Sequence, residues 1–147
     1  MNSGIGLVFP GQGSQSVGMG KALCDAHPRL KQVYDEASSV LGYDSAALCF
    51  DGPAERLNLT EHTQPALLVS SIAALKTLDS AGLKPVAVAG HSLGEYSALV
   101  AAGGVSFRDA VGLVHQARRE PHDERVGDES QQRPAHGRRP RLGFRQG

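Results

Sequence analysis

The five residues Gly90-His91-Ser92-Leu93-Gly94 set a serine between two glycines, the Gly-x-Ser-x-Gly pattern of a nucleophile elbow. A serine hydroxyl is a weak nucleophile until a base takes its proton. The pattern supplies other parts of the apparatus. Flanking glycines let the backbone turn sharply without Cβ clashes and leave the hydroxyl exposed. A helix beginning just after the serine turns its N–H groups and positive dipole end toward the same point. The N–H of Leu93 then stands where it can stabilise the oxyanion formed as Ser92 attacks a carbonyl, and one such donor is worth about 10²–10³ in rate. A Gly-rich turn with an incidental serine reads the same over five residues, so the surrounding elements decide.

Those elements are of the required kind. "PVAVAG" (85–90) is a short apolar run suited to a buried strand, and "EYSALVAA" (95–102) is Ala-rich and helical, ended by Gly103-Gly104. Upstream, "IGLVF" (5–9) reads as a second buried strand running into Pro10-Gly11. Arg29 to Leu41 keeps apolar residues at helical spacing up to Gly42, which suits a helix C-terminus. Pro53 fits the first position of a short helix. Thr63 suits the cap of another, with Pro65 in its first turn and Leu68, Ile72 and Leu75 along one face until Gly82. "SFRD" (106–109) is a capping box before the stripe Phe107, Ala110, Val111 and Val114. Strand, helices, strand, helix is the order of an α/β fold with a mostly parallel sheet. No internal repeat is present.

The loop "GQGSQSVGMG" (11–20) carries four glycines but is no phosphate loop. The Walker pattern would need glycine at Gln15 and Ser or Thr at Ala22, and Ser16 breaks a Gly-x-Gly-x-x-Gly fingerprint. It reads either as a plain β-to-α connection or as a loop that brings Gln12 and its backbone N–H over the elbow.

Net charge is zero, which argues against a nucleic-acid or polyanion binder. The balance hides an uneven distribution. Residues 1–116 hold seven Lys/Arg and ten Asp/Glu, whereas residues 117–147 hold eight Arg, five acids and no Lys. This last stretch has three prolines and only Val126, Leu142 and Phe144 as large apolar residues, so it is expected to be disordered. Cys24 and Cys49 could pair, but without Cys-x-x-Cys or metal-like spacing they read as reduced thiols, and no metal is expected. No apolar run is long enough to span a bilayer, and the first residues lack a signal-peptide pattern. A soluble, cytoplasmic protein without a membrane partner is expected.

Three stretches together, "FPGQGSQSVGMG" (9–20), "TQPAL" (63–67) and "GHSLGEYSALVAAG" (90–103), resemble the malonyl-CoA:acyl carrier protein transacylase family in order and separation. The resemblance covers about residues 5–116 and implies the N-terminal portion of an α/β-hydrolase-like acyltransferase domain, without the family's ferredoxin-like small subdomain. It implies a free-standing enzyme of fatty acid biosynthesis that needs no cofactor of its own. Ser92 would take the malonyl group from malonyl-CoA as an ester and pass it to the phosphopantetheine thiol of an acyl carrier protein. Gln12 and Leu93 match the two positions whose backbone N–H groups form the family's oxyanion hole. Gln64 matches a glutamine near the site, a role it shares with that of an ordinary polar residue near a helix N-terminus. His91 belongs to the motif, but side chains adjacent around a tight turn diverge, so it is not assigned as the base.

The resemblance stops where it would be most specific. The family's carboxylate-binding arginine, within an Arg-Gly-x-x-Met stretch, would fall on Ala117; Arg118 follows without Gly or Met. His115, His122 and His136 do not stand in the context of the family's general base. A frameshift or erroneous end near residue 117 accounts for this change, with residues 1–116 a partial acyltransferase domain and 117–147 an Arg/Pro-rich tail. Two other functions remain: a serine esterase or thioesterase, which would show the same elbow, and a non-catalytic fragment with a basic tail.

Overall fold

The computed structural model describes residues 4–117. Strand β1 (Ile5–Phe9) is followed by helices α1 (Lys21–Ala26), α2 (Lys31–Leu41), α3 (Ser45–Asp51), α4 (Ala54–Leu57) and α5 (Thr60–Ser80). Strand β2 (Pro85–Gly90) then leads into α6 (Gly94–Ala101) and α7 (Phe107–Gln116). The two strands pair in parallel, with Leu7 opposite Val88 and Phe9 opposite Gly90. A parallel pair needs a long crossover, and the five helices between the strands supply it. This is the expected α/β order, seen here in its N-terminal portion.

The core lies among α2, α5 and α7. Tyr34 and Ala37 of α2, Leu68, Val69 and Ile72 of α5, and Val111 and Val114 of α7 are all at most 1% exposed. Each such Leu, Ile or Val contributes about 1.5–3 kcal/mol relative to an exposed position. The amphipathic stripes read from sequence are the cause, and their ends are chemically marked. Gly42 stops α2 in the left-handed conformation at φ 76°. Ser106 caps α7 by accepting from the Asp109 N–H at 3.1 Å. Polar groups in this core are paired where Tyr34 meets its neighbours: its hydroxyl pairs with Ser70 Oγ at 3.1 Å, and Ser45 Oγ donates to its carbonyl at 2.9 Å.

Three expectations need correction. Helix α5 begins at Thr60, not at Thr63, which is buried inside it and donates its hydroxyl to the Leu57 carbonyl at 2.6 Å. An extra turn forms because the His62 and Thr63 N–H groups both reach the Leu59 carbonyl at 2.8 Å. Pro65 therefore lies in the helix interior; the carbonyl it cannot serve belongs to Glu61, an exposed residue whose carbonyl water can satisfy. Pro53 stands just before α4, not inside its first turn. The strands are also not buried: Val8 is 80% and Val86 74% exposed, because the described helices cover only part of the sheet. Arg118, His122, His136 and the tail beyond Ala117 lie outside the described residues. Among the described residues no helix is long and apolar enough to cross a membrane.

Candidate active site

Ser92 is the only residue other than glycine with positive φ among the described residues, at 53°. Such a conformation costs on the order of 1–3 kcal/mol and persists only where the surroundings impose it. Here the surroundings are visible. A Cβ on Gly90 would run into the backbone of Gly94, and one on Gly94 would run into the Phe9 carbonyl, so neither flank of the serine tolerates a side chain. The His91 N–H donates to the Phe9 carbonyl at 3.2 Å, tying the turn to the end of β1. The Gly94 N–H returns to the His91 carbonyl at 2.9 Å and the Glu95 N–H to the Ser92 carbonyl at 3.0 Å, which starts α6 directly after Ser92. Ser92 is thus held exposed beyond the carboxyl ends of both strands, at the N-terminus of a helix.

The glycine-rich loop after β1 closes on the same point. An ideal Cβ on buried Gly11 would lie 2.7 Å from the His91 carbonyl oxygen and 3.5 Å from Ser92 Cβ. Only glycine at position 11 lets the loop come this close, and Gln12 is the next residue. The loop is fastened along its length. Ser14 Oγ donates to the Gly11 carbonyl at 2.5 Å, the Gly13 N–H to Gln15 Oε1 at 2.8 Å and Gln15 Nε2 to Asn58 Oδ1 at 3.0 Å. Further on, the Gly18 N–H reaches the Cys49 carbonyl at 2.8 Å. Gln12 Nε2 donates to Thr60 Oγ1 at 3.5 Å, in the first turn of α5. The structure brings the loop against the turn at Gly11 and holds the Gln12 side chain on α5.

Leu93 is buried at 4% exposure, so its side chain anchors the turn in the core. Among the described residues, neither the Gln12 nor the Leu93 backbone N–H is taken by an intramolecular acceptor. Gln64 lies one helical turn beyond Thr60, the residue that holds Gln12, and is half-buried and already engaged in an interaction. The His91 side chain is exposed, with its Nδ1 3.2 Å from the position of a Gly11 Cβ. No described histidine hydrogen-bonds the Ser92 hydroxyl. The buried thiols offer no rival nucleophile: Cys24 and Cys49 are free, burial raises both pKa values, and that of Cys49 is pushed up to about 12.

Sequence reasoning overlooked two residues here. Gly11 sets the approach of loop to elbow, and its place after strand and proline was the available signal. Thr60, which receives Gln12, carried no signal, because the pairing spans 48 residues.

A serine in the left-handed conformation on a strand–turn–helix turn, closely approached by the loop at Gly11, has the local geometry of a nucleophile elbow. The chain belongs to the acyl transferase domain family, whose model matches residues 7–128. It is 53% identical over 114 residues to a malonyl CoA-acyl carrier protein transacylase of Bacillus subtilis, covering 78% of this chain and 36% of that protein. The transacylase of the same name from Escherichia coli K12 is 55% identical over 109 residues, covering 74% of this chain and 35% of its own. Among solved structures, a type II PKS acyl-carrier protein in complex with its malonyl-transacylase matches with TM-score 0.75 and 51% identity, over 78% of this chain and 37% of that one. An acyl carrier protein S-malonyltransferase from Vibrio cholerae matches with TM-score 0.74 and 53% identity, over 76% and 37%. The chain therefore spans little more than a third of the length of the relatives it matches.

Proposed function

We propose that the chain carries the nucleophile half of a malonyl-CoA:acyl carrier protein transacylase of fatty acid biosynthesis. The observation that supports this reading is the close approach of the loop at Gly11 to Ser92, because a second oxyanion donor, the N–H of the next residue Gln12, would then stand beside the elbow's own. In the first step Ser92 Oγ attacks the malonyl thioester carbonyl while the Gln12 and Leu93 N–H groups take the developing oxyanion. Collapse expels the coenzyme A thiolate and leaves malonyl-Ser92. In the second step the phosphopantetheine thiol of an acyl carrier protein attacks that ester and regenerates the serine. The base that moves the serine proton and the arginine that pairs with the malonyl carboxylate come from sequence beyond the described residues. Gln64 lines the site by way of the Thr60 face of α5. A cytoplasmic setting belongs to the same reading and agrees with the free thiols of Cys24 and Cys49.

The experiment joins residues 1–117 to the remainder of the Bacillus subtilis relative and follows the malonyl group from malonyl-CoA. Transfer to holo acyl carrier protein, lost in Ser92→Ala, is expected. Release to water at the same rate with or without carrier protein would replace the transacylase with a thioesterase.

The family match runs to residue 128, but we propose that residues 117–147 are the product of a shifted frame. Loss of lysine, gain of arginine and the end of helical patterning support this. The nucleotide sequence around codon 117 should hold an open +1 or −1 frame encoding Arg-Gly and, further on, a histidine; a gene without such a frame contradicts it.

A further inference from the structure

Gln12 sits in an exposed loop between two glycines, where a backbone N–H has freedom to turn away. Gly13 holds φ 107°, and a Cβ built on it meets nothing within 4 Å, so packing does not fix the chain after Gln12. Side chains do. The Gly11 carbonyl and the Gln12 N–H belong to one planar trans peptide and point in opposite directions. Ser14 Oγ donates to that carbonyl at 2.5 Å, so the bond that pins the oxygen also sets the direction of the N–H. The next peptide is pinned as well, because Gln15 Oε1 accepts from the Gly13 N–H at 2.8 Å. With its oxygen so engaged, the Gln15 amide turns its nitrogen outward. Nε2 then donates at 3.0 Å to Oδ1 of Asn58, 43 residues on and at the end of α4.

We infer that Ser14 and Asn58 are positioning residues for acyl transfer: Ser14 orients the Gln12 N–H as an oxyanion donor, and Asn58, through Gln15, holds the peptide that follows. The inference rests on the reading in which the Gln12 N–H takes the developing oxyanion. Both residues act through Gln12 and not on the acyl group. Ser14 has a second effect. A hydroxyl donated to the Gly11 oxygen polarises the whole peptide and strengthens its N–H as a donor. Ser14 grips the donor's own peptide and Asn58 only its neighbour, so the serine carries the larger share.

The test places substitutions at both positions in the joined protein described above and follows malonyl transfer to holo acyl carrier protein over a range of malonyl-CoA concentrations. Ser14→Ala should lower kcat and kcat/KM together by roughly tenfold, part of the 10²–10³ that a whole donor is worth. Ser14→Thr keeps the hydroxyl and should restore most of the rate. Asn58→Ala should lower kcat about threefold, and Asn58→Asp, which still accepts from Gln15, should recover it. Ser16→Ala, in the same loop but without a side-chain hydrogen bond among the described residues, should match the parent. In the 147-residue chain and in the joined protein, the Gln12 amide nitrogen should shift upfield in Ser14→Ala and return in Ser14→Thr, following the polarisation of its peptide. An unchanged kcat in Ser14→Ala, with Ser92 of the parent still taking up malonyl, would overturn the inference and leave the malonyl-transfer reading standing. A rise in KM alone, a Ser14→Thr protein no faster than Ser14→Ala, or an unmoved Gln12 amide would also overturn it. A parent that takes up no malonyl on Ser92 would overturn the reading beneath it, and the inference with it.

Discussion

The helical lobe and the elbow region are built on opposite terms. In the lobe, α2, α5 and α7 close around side chains at most 1% exposed, and their caps and stripes agree with the local sequence. In the elbow region, Ser92 holds a left-handed backbone, Gly90 and Gly94 leave no room for a Cβ, and the strands beneath expose Val8 and Val86. Backbone strain is sustained at the exposed Ser92, where the packed elements around the turn impose it. The difference shows that the turn at Ser92 is fixed locally even though the described helices leave the sheet beneath it partly uncovered.

Truncating a core side chain should show the largest contrast. Leu68→Ala in α5, at full burial, is expected to destabilise by about 2–5 kcal/mol. Val8→Ala on the open strand should stay within about 0.5 kcal/mol of the parent. Urea unfolding of both variants checks this, and equal losses would erase the distinction between the two regions.

Next in size is the elbow's tolerance of a methyl group. Gly94→Ala forces a Cβ against the Phe9 carbonyl and should cost about 1–3 kcal/mol, whereas Gly103→Ala faces open space and pays only for its positive φ. A smaller effect of opposite sign is expected at the serine. Ser92→Gly relieves the left-handed strain and should raise stability by about 1 kcal/mol while removing the hydroxyl. A Ser92→Gly protein less stable than the parent would show that the turn is not strained.

The smallest effect is a pH dependence in the lobe. His62 packs edge-on against the Tyr43 ring at 4.9 Å and accepts from Arg56 Nε at 3.5 Å. Burial foremost, then Arg56 and His115, hold its pKa below the ordinary value, against the opposing pull of Glu61. The unfolded chain therefore binds the proton more readily than the folded one. The contribution of neutral His62 is intact above the unfolded value near 6.5 and is lost as pH falls below it. His62→Gln, which cannot titrate, should flatten that part of the stability–pH curve, and an unchanged slope would assign it to other groups.

Local patterning reached the elements whose chemistry is local. The elbow, strand β2 over 85–90, the end of α2 at Gly42 and the capping box of α7 all follow from residues within one or two turns of one another. Helix α3 was open to the same reasoning, since Asp44 accepts from the Ala47 N–H at 2.9 Å, but its short run between Gly42 and Gly52 drew no assignment. Helix α1 has no side-chain cap, so nothing marked its start. The early start of α5 depends on Thr63 reaching back to Leu57, which propensity does not register. The exposure of the strands and the approach of Gly11 to Ser92 are decided by what packs across more than 80 positions of sequence, and periodicity does not carry that information.

The central claim is that Ser92 receives the acyl group at the meeting of the elbow and the Gly11–Gln12 loop. The direct measurement is peptide mass mapping of the joined protein described above, quenched in acid after brief exposure to malonyl-CoA without carrier protein. One malonyl group on the peptide containing Ser92, absent from Ser92→Ala and discharged on adding holo acyl carrier protein, is the predicted result. A malonyl group on any other residue, or undiminished labelling of Ser92→Ala, would contradict it.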